Sequence, residues 1–136
     1  MKIQTIAHEC IHSCQSKILL WSNFLFTNIY LIYFVIISIF GIINKLAYND
    51  IHIIILIFMS LIHYILRFSL EMDAMTKAKY IAKQYIDENN ILNKDEEKSL
   101  LKEYEEINNL AIPFVNYQTI AMNLLKVIIF SIISVI

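Results

Sequence analysis

The sequence predicts an all-α membrane protein. Of its 136 residues 58% are hydrophobic, and the mean hydropathy of +0.59 is too high for an ordinary soluble domain. With one Gly and one Pro there are few sharp turns, and no alternating apolar and polar run bounded by turn residues suggests a strand. A net charge of −1 provides no basic surface, which argues against a nucleic-acid partner and leaves the lipid bilayer as the expected one.

The chain reads as a single helical membrane domain, 1–136, in four parts. Residues 1–17 hold a short helix from about Gln4 to Gln15, with Thr5 or a residue before it as the expected cap. Residues 18–66 form a hairpin. No charge occurs over 18–44, and 24–43 supplies the roughly 20 apolar residues of one span. The polar turn 45–50, flanked by Lys45 and Asp50, leads to a shorter uncharged run over 51–66.

Residues 67–109 are the only long charged stretch. Arg67, Lys77, Lys79 and Lys83 follow the second span closely, so the positive-inside rule predicts a cytosolic location. Two crossings return the chain to its starting side, which puts the first helix in the same compartment. Within this stretch one helix is expected from Glu71 to about Glu88, and residues 93–96 resemble a capping box opening another. Leu100, Leu101, Tyr104, Ile107 and Ala111 keep helical spacing on it. Residues 110–136 then read as a C-terminal apolar helix packed on the hairpin, with Lys126 snorkelling to an interface.

The chemistry-bearing stretch is in the first helix, where His8-Glu9-Cys10-Ile11-His12 has the spacing His-Glu-x-x-His. Side chains at i and i+4 share a helix face, so both imidazoles can meet one metal ion, with Glu9 beside them as a candidate base. Two neutral imidazoles suit Zn²⁺, whose catalytic sites use three protein ligands and leave a position for water. Glu71, just beyond the second span and on the expected side, is the best candidate for a third ligand. Asp73 is placed to hydrogen-bond a ligating imidazole. His63 and Arg67 are candidates for contacts to substrate or to a developing oxyanion, since ionisable residues within membranes often serve function. Cys10 and Cys14, four apart on one helix, are poorly placed for a mutual disulfide and read as reduced thiols.

Three stretches resemble the bacterial membrane-bound neutral zinc metallopeptidases, the YugP-like family. Residues 7–15, Ala-His-Glu-Cys-Ile-His-Ser-Cys-Gln, look like its metal motif. Leu70-Glu71-Met72-Asp73-Ala74 with Ala78 looks like a later Glu-Phe-Asp-Ala segment, and 111–125, with Tyr117, is similar to its final apolar helix. The resemblance implies a multi-pass protein of the bacterial cytoplasmic membrane with Zn²⁺ held by His8, His12 and Glu71 on the cytosolic side. It implies Glu9 as general base and acid, and a peptide or membrane protein as substrate. Family members carry an anchor and a soluble stretch before the motif. His8 lies seven residues after the first residue here, so the comparison predicts a chain lacking that N-terminal part. In zinc peptidases of this kind a β-strand beside the motif helix holds the substrate backbone, and no strand precedes His8. The alternative expectation is therefore an inactive relative serving as a metal-binding membrane interaction subunit, in a homo-oligomer or with a partner subunit.

Overall fold

The computed structural model describes residues 2–43 and 46–135, with side chains described from Thr5 onward. Four helices follow in order: α1 (Lys2–Cys14), α2 (Lys17–Ile42), α3 (Asn49–Asn89) and α4 (Lys94–Ile133), with no strand among the described residues. Three of them, α2, α3 and α4, are long and apolar enough to cross a membrane. Lys45 lies outside the described residues. The remainder of its turn passes through Tyr48 at a φ of 59° into α3.

Two expected breaks are absent. The second apolar span and the charged helix after it are one 41-residue helix, α3, because no Gly or Pro stands between Leu66 and Glu71 to end it. Glu71 is consequently in mid-helix, not at a helix start. In α4 the capping box is formed: the Asn93 side chain accepts from the Asp95 and Glu96 amides at 3.1 and 2.9 Å, and the Asn93 amide donates to Glu96 at 3.0 Å. The helix then continues through Pro113. That residue only withholds the bond its amide would have made to the Asn109 carbonyl, a loss helices in apolar surroundings tolerate. Thr5 lies inside α1, which already begins at Lys2.

The chain divides into two compact units. One comprises Met1–Ser16 with Phe68–Asn116. Its core is built on i,i+4 rows: Ala7, Ile11 and Gln15 from the first segment, and Leu70, Ala74, Ala78, Ala82 and Ile86 along α3, all buried. Tyr104 of α4 closes this core, with Leu100 packed against it. Around it Asn108 donates to the Met75 carbonyl at 3.0 Å, Lys79 pairs with Glu105, and Lys83 lies 3.4 Å from Glu97.

The other unit comprises Lys17–Arg67 with Tyr117–Ile136. Tyr30, Ile37, Leu56 and Phe130 form its buried centre. Phe24, Ile32, Ile54, Phe58 and Leu124 point outward, as helices facing lipid do. Several buried polar groups are bonded to one another, as a low-dielectric interior favours, while Asn23 Oδ1, Ser38 Oγ and Asn49 Oδ1 have no partner among the described residues. Tyr30 and Ser60 hydroxyls meet at 2.7 Å, and Asn123 donates to the Ser60 carbonyl at 3.1 Å while its side-chain oxygen lies 3.1 Å from His63 Nδ1. The Tyr33 hydroxyl lies 2.8 Å from His52 Nδ1. The Lys126 ammonium sits 4.1 Å from the centre of the buried Tyr30 ring, where the ring face stabilises the cation.

Packing on the alanine row leaves no room for larger side chains. Ala74 is fully buried, so Ala74→Leu is expected to destabilise the protein by about 1–3 kcal/mol through overpacking. Denaturant unfolding monitored by circular dichroism measures this; an unchanged midpoint would mean that α1 does not pack closely on this row.

Candidate metal centre

The first unit brings His8, His12 and Glu71 together. One nitrogen from each imidazole and one Glu71 oxygen lie within 4.8 Å of one another. Glu71 Oε2 is 3.6 Å from His8 Nε2 and 3.8 Å from His12 Nε2. The rings stand nearly perpendicular, at 87°, with centroids 4.6 Å apart. This proximity follows from the core rows. Ala7 and Ile11 face α3, so the residues one position later in α1 lie at the edge of the contact; Glu71, one position after Leu70, lies at the matching edge of α3.

The donor set fits a divalent metal ion. Four ligands about 2.0–2.1 Å from a tetrahedral metal stand about 3.3 Å apart, so the Glu71 spacings of 3.6 and 3.8 Å need only a small contraction, and the two imidazole nitrogens, within 4.8 Å of each other, need to close further. His8 Nε2 is buried and has no hydrogen-bond partner, an arrangement that costs free energy unless something else binds the nitrogen. Glu71 is only 14% exposed, which favours a carboxylate balanced by positive charge.

Glu9 stands apart from this convergence. Its carboxylate is 3.5 Å from His8 Nδ1, the other ring nitrogen, and is 70% exposed. Asp73 does not bond an imidazole as the sequence suggests. The partner of His12 Nδ1 is Gln15 Oε1 at 2.9 Å, and Asp73 in turn accepts from Gln15 Nε2 at 3.3 Å. Lys77 also donates to Asp73 and holds its carboxyl below the usual range. In the sequence Gln15 is the closing residue of the motif-like stretch 7–15, three positions after His12, and nothing there assigns its partners. His63 and Arg67 belong to the other unit, where His63 bonds Asn123. Cys10 and Cys14 are exposed free thiols.

Beside His8 is a groove of about 440 Å³ whose walls include Met75, Ala78, Tyr104, Ile107 and Ala111. Asn108 at its rim is engaged with the Met75 carbonyl. The lining is largely apolar, and an imidazole of the cluster forms one side of it.

The chain matches no protein-family model, and no curated protein or solved structure matches it.

An ion that binds the folded centre and not the unfolded chain must raise the unfolding temperature. Addition of a divalent transition metal is expected to raise the thermal midpoint of the wild-type protein, and Glu71→Ala is expected to remove that rise. Equal shifts in both proteins, measured by scanning fluorimetry in detergent, would contradict the assignment of Glu71 as a ligand.

Proposed function

We propose that this protein is a membrane-bound zinc metallopeptidase of the kind its motif resembles, cleaving peptide bonds with a water activated at the His8/His12/Glu71 centre. The observation that carries the reading is the approach of Glu71 to both imidazoles of a His-Glu-x-x-His helix far from it in sequence. Three long apolar helices support membrane attachment, the charge pattern after the second span supports a cytosolic centre, and only the resemblance of the motif points to a bacterial membrane.

In this reading His8 and His12 would hold the ion through Nε2, and Glu71 would supply the third ligand and a negative charge. When bound, zinc would supply a Lewis acid that lowers the pKa of a water at this centre toward neutrality. Glu9 accepts a proton from the attacking water and returns it to the leaving amine nitrogen. Its exposed carboxylate is free to turn from His8 Nδ1 toward a bound peptide. The groove beside His8 receives an apolar side chain next to the scissile bond, so substrates are peptides or membrane proteins carrying such residues.

A second reading is favoured by one observation. No strand among the described residues offers an edge to a substrate backbone. In that case the chain is a metal-binding membrane subunit, and a second copy or a partner supplies the edge.

The two readings separate on one variant. Glu9→Gln keeps the ligands and removes the base, so zinc content is expected to stay at wild-type level while cleavage of a peptide library falls about 10²- to 10⁴-fold. Cleavage that survives the substitution refutes Glu9 as the base. Stoichiometric zinc with no cleavage by wild type supports the subunit reading, and absence of zinc from both proteins refutes both.

A further inference from the structure

Gln15 has a hydrogen-bond arrangement that decides where the proton on His12 resides. Its side-chain nitrogen is 2.7 Å from the Leu70 main-chain carbonyl. A carbonyl oxygen only accepts, so the group facing it must be the amide NH₂. The same nitrogen donates to the Asp73 carboxylate at 3.3 Å, a second acceptor that enforces the same orientation. The Gln15 carbonyl oxygen is thereby aimed at His12 Nδ1, 2.9 Å away. An amide oxygen has no proton to give, so the ring nitrogen must donate.

A neutral imidazole carries one proton. If it resides on Nδ1, then Nε2 presents a lone pair, and Nε2 is the nitrogen that faces Glu71. Free imidazole side chains favour the opposite tautomer, with the proton on Nε2, which would block a metal from this atom. The residues that aim Gln15 are themselves held. Leu70 is buried in the α3 row, and Asp73 is anchored by Lys77 one turn further along the helix. Gln15 is only 8% exposed, so water competes poorly for its amide.

We propose that Gln15 is the positioning residue of the centre: oriented by the Leu70 carbonyl and Asp73, it fixes His12 as the Nδ1–H tautomer and keeps Nε2 available to a metal ion. The purpose of this arrangement rests on the metal-binding reading above, but the tautomer itself can be observed in protein without metal. A partner on the second ring nitrogen also raises ligand basicity, and losing such partners typically lowers metal affinity by about 10–100-fold.

The test uses the full chain in detergent micelles, freed of metal by chelation, with ¹⁵N in the histidine rings and at a pH where His12 is neutral. Long-range ¹H–¹⁵N spectra distinguish the two tautomers, and His12→Asn identifies the signal. Wild type is expected to show His12 protonated on Nδ1. Gln15→Leu is expected to move that proton to Nε2 and to weaken zinc binding, measured by competition with a chelator, about 10–100-fold. Circular dichroism verifies that each variant retains wild-type helix content. Wild-type His12 protonated on Nε2 would overturn the proposal, as would a Gln15→Leu protein that folds and keeps both the wild-type tautomer and zinc affinity. An Nδ1–H form in a wild-type chain that binds no zinc would refute the metal-binding reading and leave the tautomer assignment standing.

Discussion

The candidate centre depends on the packing of the Ala7/Ile11 row against a row of alanines on α3. Ala7 and Ile11 on α1 meet Ala74, Ala78 and Ala82 on α3, and the small side chains let the helices approach. Because side chains at i and i+4 form one row, fixing these residues also fixes the adjacent rows. His8 and His12 follow Ala7 and Ile11 by one position, and Glu71 follows Leu70 in the same way. The register of an apolar contact thus sets the distance between polar groups that would be costly to bury unpaired.

Gln15 belongs to the same constraint, as the third member of the Ala7/Ile11 row and the one polar residue in it. A glutamine at a buried row position must spend both ends of its amide. Here one end satisfies Leu70 and Asp73 and the other satisfies His12. Core packing and ligand orientation are therefore served by one side chain, and an apolar residue in its place would leave the His12 ring unguided.

Much of this was legible in the sequence. The i,i+4 spacing placed His8 and His12 on one face, and the count of two spans returned Glu71 to the same side of the chain's expected topology. The capping box at Asn93 was readable because all three of its bonds are local. The uninterrupted lengths of α3 and α4 were not readable, because charge at Arg67 and the lone Pro113 mark a change of environment without forcing the backbone to end a helix. Neither the part played by Gln15 nor the seating of Lys126 over Tyr30 follows from spacing alone. Each depends on a partner 55 or more residues away in sequence.

The donor set is the centre of the account, and X-ray absorption at the zinc edge of the zinc-loaded protein reads it directly. Two imidazole nitrogens at about 2.0–2.1 Å with carboxylate oxygen, and no sulfur, are expected for His8, His12 and Glu71. A sulfur shell at about 2.3 Å would instead assign the ion to Cys10 or Cys14, and would contradict it.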